Sequence, residues 1–307
     1  MSEQTKVIDD PLMVAGAAMP EHMQPLVESL AKSSGLLGPN EVAQHLQPQI
    51  EELGLGDALA HFREHGYAVI EDVAPPQEMD ELRQAIHDFS KPYPGIDHYR
   101  GAPFLLGRHP AIDRICTNAK IRAFAEVSVG NGFRASQITS SVMFKSDVDS
   151  GGVHADQGWI PAPFPEHNCI ITFCIPCEGM TEAGGATRVV PGSHLRRRHP
   201  TPQETRSETV AIEVAKGGVA VWDGSVWHGG GQRTIDGTRT VLHASYSRLY
   251  TQTIDDYTYL LEDEAYMASA PEGMRGLLGD GLFFGTGNVE GGVDIDKIKE
   301  AAIRSKL

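Results

Sequence analysis

The chain has 307 residues, enough for one large catalytic domain or at most two small ones. Its formal net charge of −15 argues against general nucleic-acid binding, which needs a basic surface, and against attraction to an anionic membrane. The N-terminus shows no apolar signal segment, and no apolar run approaches the roughly 20 residues that span a bilayer. These features predict a cytoplasmic protein with free thiols.

The first part of the chain is predicted to be mainly helical. Residues 1–55 are weakly periodic and are expected to form a peripheral N-terminal segment. A helix is predicted over 57–66, between an Asp cap and a Gly stop, and a strand over 67–73 follows it. A second helix is predicted over 77–89 and a third helical segment over 111–130, so a helical layer precedes the rest of the fold.

Beyond about residue 133, short apolar runs alternate with clusters of Gly, Pro and Asp, a pattern typical of an antiparallel sandwich or barrel. The predicted strands cover 137–145, 153–159, 168–175, 187–190, 209–214, 218–222 and 238–250. The predicted fold class is therefore α+β and mainly β: a double-stranded β-helix, or cupin-like jelly roll, with a helical N-terminal layer. The catalytic domain is expected to span 56–254, and 255–307 to form a C-terminal extension of helices and loops packing on it, with a Gly-rich surface segment over 279–292.

One short segment, Gly-Gly-Val-His154-Ala-Asp156, combines two residue types that bind metals. In a strand, residues two apart point to the same face, so a strand here would bring His154 and Asp156 together. An imidazole beside a carboxylate supplies two thirds of the facial triad that leaves positions on Fe(II) open. A strand end that exposes two polar side chains is the alternative interpretation.

Two further residues strengthen the metal-site interpretation. His228 follows an apolar strand, precedes three glycines and lies 74 residues after His154, which makes it a candidate third ligand. A satisfied core histidine is the alternative for His228. Arg239 shares one face of a predicted strand with Val241 and His243, and a buried arginine is costly unless it is paired. A bidentate carboxylate, such as the distal carboxylate of 2-oxoglutarate, would satisfy its guanidinium group.

In this order, the motifs resemble the phytanoyl-CoA dioxygenase family of Fe(II)/2-oxoglutarate oxygenases. The segment from Glu182 to His194, which ends in Pro-Gly-Ser-His, is similar to the family segment between the two iron-binding strands, and the resemblance covers about 60–250. The resemblance implies that His154, Asp156 and His228 hold the iron. It also implies that Arg239 clamps 2-oxoglutarate.

The resemblance further implies that Thr187 and Gln137 contact the co-substrate and that His194 is a structural loop residue. Several family members have Ser or Thr two residues after the distal histidine, but Gly230 stands there in this chain. The implied cofactors are Fe(II), 2-oxoglutarate and O₂. The implied reaction is hydroxylation, or another oxidation at a C–H bond, with release of succinate and CO₂. Halogenation is disfavoured because halogenating relatives lack the carboxylate that Asp156 provides.

The expected partner is a small-molecule substrate, and homo-oligomerisation is left open. Two other functions also stay open. A cupin-like metal enzyme that works without 2-oxoglutarate would not need Arg239. A non-catalytic jelly roll that binds a ligand or partner would not need a metal at the triad.

Three other motifs invite a functional interpretation. The spacing of Cys169, Cys174 and Cys177 matches an iron–sulfur pattern, but no fourth cysteine follows and the segment is predicted to be a buried strand. The arginines at 196–198 are predicted to be a solvated surface run, with an anion site for a phosphorylated or CoA-linked substrate as the alternative. Large apolar residues flank the triad in sequence and are predicted to be packing residues, some of which line the substrate pocket: Met143, Phe144, Trp159 and Trp227.

Overall fold

A computed structural model describes residues 37–280, except 94, 97, 149–151 and 205–207. The α-helices of the described part are α1 (Gln47–Glu52), α2 (Gly56–His65), α3 (Pro76–Ser90), α4 (Pro110–Cys116), α5 (Ala119–Val129), α6 (Glu264–Ser269) and α7 (Met274–Leu277). Short 3-10 helices cover Gln44–Leu46, Ser193–Arg196 and Thr258–Glu262. Among the described residues, none of these helices is long and apolar enough to cross a membrane.

Nine described strands form two antiparallel sheets. They are β1 (Tyr67–Ile70), β2 (Tyr99–Ala102), β3 (Arg134–Phe144), β4 (Ile170–Pro176), β5 (Arg188–Val189), β6 (Val210–Ala211), β7 (Val219–Asp223), β8 (His228–Gly229) and β9 (Thr238–Ser247). The larger sheet has the order β1-β7-β4-β9-β3-β2, and the smaller has the order β6-β5-β8. The two sheets face each other and the helices pack outside them. This is the predicted jelly roll with a helical layer, so the predicted fold class is confirmed.

The central strands β4, β7 and β9 alternate their side chains between the two faces of the larger sheet, as the strand period of two requires. One face packs on the helices and contributes Ile171, Phe173, Ile175, Val219, Val221, Leu242, Ala244 and Tyr246 to that core. The opposite face packs toward the smaller sheet and contributes Cys174, Ala220, Trp222 and Val241. Polar residues of this second face are therefore directed between the sheets, where a ligand can be enclosed.

Aromatic contacts connect the helical layer to the sheet. The ring of Phe62 in α2 meets the ring of Phe124 in α5 edge to face, with the centroids 5.1 Å apart. Phe124 then meets Phe173 of β4 with the centroids 6.2 Å apart, and Phe173 also contacts Tyr246 of β9. All four side chains are buried, so α2, α5 and the centre of the sheet share one core.

The predicted N-terminal elements are found with small changes of boundary. Helix α2 ends at Gly66, whose φ of 81° lies in the left-handed region and where a Cβ would lie 2.5 Å from His194. Asp57 does not cap this helix, because the N-cap residue is Leu55 and Asp57 lies within the first turn. The predicted helix over 111–130 is two helices, interrupted before Asn118, whose side chain accepts a hydrogen bond from the backbone N–H of Lys120.

The predicted strand over 153–159 is not formed. Among the described residues of this segment, His154 forms an isolated β-bridge to His228, and the N–H of Gln157 donates a single backbone hydrogen bond to the carbonyl of Gly224 at 3.0 Å. His154 and Asp156 are therefore brought to the same side by a β-bridge at His154 followed by a bend at Asp156, and not by a regular strand.

Both chain ends contribute apolar residues to the helix–sheet core where they are described. Leu46 and Ile50 from the N-terminal side are buried in it, as are Leu260 and Met274 from the C-terminal side. The domain boundaries at 55/56 and 254/255 stay predictions. Residues 1–36, and most of the predicted Gly-rich segment over 279–292, lie outside the described residues.

Replacing Phe173 with alanine is expected to lower the free energy of unfolding by about 3–5 kcal/mol, because the ring is fully buried between two other aromatic rings. Tyr259→Ala is the matched control, since its ring is exposed, and is expected to change the free energy by less than about 0.5 kcal/mol. Urea unfolding followed by circular dichroism measures both. Equal losses for the two variants would contradict this account of the core.

Candidate metal centre and its cavity

Two backbone hydrogen bonds bring the predicted metal ligands together. The N–H of His154 donates to the carbonyl of His228 at 2.9 Å, and the N–H of His228 donates to the carbonyl of His154 at 2.9 Å. Close approach of the two segments requires glycine next to the bridge, because a Cβ on Gly229 would lie 2.6 Å from the carbonyl oxygen of Gly152. This glycine therefore permits contact between two pieces of backbone.

Around this bridge, one ligand atom each from His154, Asp156 and His228 lies within 4.8 Å of the other two. Asp156 Oδ1 is 3.4 Å from His228 Nε2 and 3.6 Å from His154 Nε2. His228 is buried, whereas the His154 side chain is 62% exposed and faces the opening of the site. Two imidazoles and one carboxylate on one side of a common point are a donor set for a divalent transition metal.

The carboxylate of Asp156 is oriented by the central strands of the larger sheet. Its Oδ2 accepts hydrogen bonds from Thr172 Oγ1 at 2.8 Å and from Trp222 Nε1 at 2.9 Å, which leaves Oδ1 directed at the two imidazoles. Burial opposes ionisation, but His228, His154 and the Trp222 indole N–H outweigh it and hold the pKa of Asp156 below its usual value. The carboxylate is therefore ionised at neutral pH.

The imidazole of His228 is fixed in the orientation that a metal ligand needs. Its Nδ1 lies 3.1 Å from the carbonyl oxygen of Val226, so Nδ1–H donates to that carbonyl and Nε2 keeps its lone pair. Burial lowers the pKa of His228, which favours the neutral ring. Nε2 is also the atom that faces Asp156.

A cavity of about 650 Å³ opens next to the three residues, within the usual range for small-molecule sites. It is lined by Ile96, His98, Tyr99, Ser141, Met143, Val148, His154, Asp156, Thr172, Thr187, Trp222, His228, Gly229, Gly230, Arg239, His243 and Ser245. The predicted residues His154, Asp156, His228, Arg239 and Thr187 thus lie in a single cavity between the sheets.

Arg239 is a buried cation that the described part of the protein leaves incompletely satisfied. One guanidinium N–H donates to the backbone carbonyl of Gly185, while Nε has no hydrogen-bond partner among the described residues. Burial lowers the pKa of Arg239, although a guanidinium stays charged at any physiological pH. None of the described carboxylates forms an ion pair with it. The side chain is thus arranged to receive an anion from the cavity.

His243 is close to this arginine and carries no charge. Burial, together with the nearby charge of Arg239, lowers the pKa of His243 to about 4. Its Nε2 lies 3.3 Å from Ser141 Oγ, within hydrogen-bond distance. His243 therefore adds no second positive charge to the end of the cavity where Arg239 lies.

The two residues predicted from the resemblance to contact a co-substrate are placed differently. Thr187 is buried and lines the cavity, with Oγ1 3.9 Å from Cys174 Sγ. Gln137 pairs with Ser245 across β3 and β9, but it does not line the cavity, and its side chain hydrogen-bonds the carboxylate of Asp255. The role of Gln137 stays a prediction without geometric support from this cavity.

Of the apolar residues that flank the triad in sequence, Met143 lines the cavity. Trp227 is buried against Ala155 and Phe164, and Phe144 packs on the helix–sheet core, so both are packing residues. Trp159 is 75% exposed and lines a separate, adjoining cleft.

The run Arg196-Arg197-Arg198 has acidic partners. Arg198 forms two hydrogen bonds to Glu204, at 2.7 and 2.8 Å, and Arg196 also pairs with Glu204. Arg197 pairs with Glu166 at 3.1 Å. Arg196 and Arg198 further lie over the ring of Trp227, 4.4 and 4.9 Å from its centroid. The three guanidinium groups are thus already paired with glutamates, and two of them pack on Trp227, the residue before His228. This pairing disfavours the alternative of an anion site for a CoA-linked substrate.

The cysteines behave as buried thiols. Burial raises the pKa of Cys174 to about 11 and raises that of Cys177 well above its usual value. Cys174 belongs to the core between the sheets and Cys177 to the helix–sheet core, so the two side chains lie on opposite sides of the larger sheet.

Sequence reasoning missed Thr172, Trp222 and His243 as site residues. The strand period contains a signal for all of them: Trp222 shares a face with Ala220 in β7, Thr172 with Cys174 in β4, and His243 with Arg239 in β9. Once Arg239 is assigned to the inner face, the register of β4, β7 and β9 places the other residues there too.

A jelly roll in which two imidazoles and one carboxylate converge beside a buried arginine defines the class of mononuclear metal-dependent oxygenases. Comparison with known proteins agrees. A family model described as "Phytanoyl-CoA dioxygenase (PhyH)" matches residues 62–241. "Dioxygenase af480" from Aspergillus fumigatus is 24% identical over 237 residues, covering 72% of this chain and 75% of that protein.

Solved structures agree in fold. HygX from Streptomyces hygroscopicus, with nickel and 2-oxoglutarate bound, superposes with a TM-score of 0.55 at 16% identity, covering 64% of this chain and 88% of HygX. The non-heme alpha ketoglutarate dependent epimerase SnoN from nogalamycin biosynthesis gives a TM-score of 0.52 at 18% identity, covering 66% of this chain and 84% of SnoN.

The chain belongs to the phytanoyl-CoA dioxygenase (PhyH) family, because the family model covers more than half of it. It is therefore an oxygenase, and the predictions of an enzyme with iron and 2-oxoglutarate as cofactors are confirmed at the level of the family.

Replacing Thr172 with valine is expected to weaken divalent-metal binding by roughly 10–100-fold, because Oδ2 of Asp156 loses one of the two donors that orient it. Titration of the metal-free protein with Co(II), followed by absorbance, measures the affinity. Thr258→Val, an exposed change far along the chain from the site, is the matched control and should bind Co(II) like the wild type. Equal affinity in all three proteins would contradict the orienting role of Thr172.

Proposed function

We propose that this protein is an Fe(II)- and 2-oxoglutarate-dependent oxygenase that oxidises a C–H bond of a small organic substrate, hydroxylation being the expected outcome. In this proposal His154, Asp156 and His228 bind the iron, and Arg239 binds the distal carboxylate of 2-oxoglutarate. The observation that carries it is the buried guanidinium with an unpaired Nε, in the same cavity as the three convergent ligand atoms.

The donor set fits iron. Adjacent ligands about 2.1 Å from a transition metal lie about 3 Å from each other in an octahedral site, and the 3.4 and 3.6 Å separations around Asp156 Oδ1 are close to that value. The carboxylate is ionised and the His228 ring is oriented with Nε2 free, so the residues need little rearrangement to bind a metal. Three protein ligands on one side leave the remaining positions for co-substrate and O₂, which supply the oxidising chemistry.

The cavity also fits 2-oxoglutarate. The distal carboxylate of this dianion would pair with Arg239, which removes the cost of an incompletely satisfied buried cation. Thr187 lines the same cavity and offers a hydroxyl group, which supports the predicted contact with the co-substrate. His243 is neutral, so it adds no second positive charge beside Arg239 and leaves the guanidinium as the group that pairs with the distal carboxylate at this end of the cavity.

The similar structures support a small-molecule substrate. HygX has been solved with nickel, 2-oxoglutarate and hygromycin B bound. This chain shares the fold of HygX and has a cavity of about 650 Å³ beside the candidate triad.

Asp156→Ala is expected to lower Fe(II)-dependent conversion of 2-oxoglutarate to succinate to below about 1% of the wild-type rate, because it removes both a ligand and the charge that holds the two histidines. Succinate is measured enzymatically at saturating 2-oxoglutarate. Asp236→Ala, an exposed change outside the cavity, is the control and should leave the rate unchanged. Wild-type activity in Asp156→Ala would remove the triad from the mechanism.

Arg239→Lys is expected to raise the KM for 2-oxoglutarate by at least about tenfold with a smaller effect on kcat, because an ammonium cannot reproduce the planar fork of a guanidinium. Arg275→Lys, on the exposed surface of α7, is the matched control. If Arg239→Ala turned over substrate without any change in co-substrate dependence, the cupin-like alternative without 2-oxoglutarate would be favoured.

A further inference from the structure

A second cleft, of about 520 Å³, continues the inner face of the larger sheet beyond the metal centre. Arg239, His243 and Ser245 of β9 line the main cavity, and Ser247 of the same strand lines the second cleft. At about 3.3 Å per residue, Arg239 and Ser247 lie about 26 Å apart along the strand. The arginine and the second cleft are thus at opposite ends of one surface.

The two spaces meet at the metal centre. Asp156 lines both the main cavity and the second cleft, and neighbouring Gln157 lines the cleft. A molecule bound in the second cleft therefore lies next to the triad, on the side away from Arg239. This is the side where a substrate is expected if 2-oxoglutarate occupies the end near the arginine.

The walls of the second cleft are mainly apolar and uncharged. Trp159, Ile160, Ile170 and Ile254 provide apolar surface, and apart from Asp156 and the Cys169 thiol the polar lining residues carry neutral hydroxyl or amide side chains. Among the described residues that line it, none is basic, and the carboxylate of Asp156 is the single charge. Trp159 exposes an aromatic ring at this cleft to solvent, which a flat ring in a ligand would cover.

Anionic substrates are poorly matched to this arrangement. Arg239 is committed to the co-substrate, and the arginines at 196–198 are paired with glutamates or stacked on Trp227. A phosphate-bearing thioester would place its charges beside Asp156 with no described cation in the cleft to receive them.

We propose that the substrate of this oxygenase is a neutral, largely apolar, ring-bearing molecule whose distal part occupies the cleft lined by Trp159, Ile160 and Ile254. The proposal rests on the proposed function, and it extends that function by naming the substrate class and the residues that select it. The reacting C–H bond lies at the end of the molecule that meets the triad.

The test uses two fluorescent probes with the same ring system. N-phenyl-1-naphthylamine is neutral, and 8-anilino-1-naphthalenesulfonate carries a sulfonate. The full-length protein without metal or 2-oxoglutarate is expected to bind the neutral probe at least about tenfold more tightly than the anionic one, a difference of about 1.4 kcal/mol. Equal affinity, or tighter binding of the sulfonate, overturns the proposal.

Variants locate the bound probe. Ile254→Glu introduces a charge into the cleft and is expected to weaken binding of the neutral probe by at least about tenfold. Ile235→Glu is the matched control, because Ile235 and Ile254 are similarly exposed, at 46% and 38%. Of these two isoleucines, Ile254 lines the cleft and Ile235 does not. Unchanged probe affinity in Ile254→Glu overturns the proposal.

A second pair covers the case in which Ile254→Glu does not fold, as judged by its circular dichroism spectrum. Trp159→Ala removes a ring that is 75% exposed, and Leu195→Ala removes a side chain that is 72% exposed elsewhere. The first change is expected to weaken binding of the neutral probe by about three- to tenfold and the second by less than about twofold. Equal effects overturn the proposal.

The link to catalysis is tested by displacement. Any compound from a substrate library that stimulates succinate formation is expected to displace the neutral probe, and a compound that is turned over without displacing it overturns the proposal. Probe binding needs neither iron nor 2-oxoglutarate. Failure of the proposed function would therefore appear as absent succinate formation, separately from any result with the probes.

Discussion

The paired backbones of His154 and His228 are the contact on which the candidate metal centre depends. Two hydrogen bonds of 2.9 Å join segments that lie 74 residues apart in the chain. The side chains are then directed by the central strands: Thr172 of β4 and Trp222 of β7 hold one oxygen of Asp156, and the carbonyl of Val226 orients His228. The candidate metal ligands lie on a bridge and a bend, but the strands of the larger sheet determine where their side chains point.

Arg239 imposes the second constraint, because a buried guanidinium with an unsatisfied N–H is unfavourable until a ligand arrives. Its position is held by the start of β9. Glu178 accepts hydrogen bonds from the N–H and the hydroxyl of Thr240, both at 2.8 Å, and from Arg83 of α3 at 2.7 Å. The helical layer thus fixes the strand that carries the arginine. Because Arg239 is held in place without a full set of partners, an anion that binds it gains the free energy of the missing hydrogen bonds.

The sequence contained most of this arrangement, for identifiable reasons. The helices and the strand-rich core follow from periodicity. Residue types made His154, Asp156, His228 and Arg239 candidates, and the resemblance to the family selected them over the structural alternatives. The strand predicted over 153–159 was wrong because its pairing is set by a single long-range bridge, which local alternation cannot reveal. The residues that orient Asp156 were missed because strand register is a tertiary property. Asp57 does not cap its helix because the N-cap residue is Leu55, two residues before the predicted cap.

Along β9, alternate residues serve two different purposes: one set packs in the folding core, and the other set lines the space where ligands are proposed to bind. Leu242, Ala244 and Tyr246 pack on the helices, while His243, Ser245 and Ser247 face the cavity and the cleft. The positions that face the cavity and the cleft can therefore change in size and polarity during evolution, while those that pack on the helices maintain the fold. Single substitutions at the inward positions can then change specificity with little loss of stability, which is consistent with solved structures that share this fold at 16% and 18% identity.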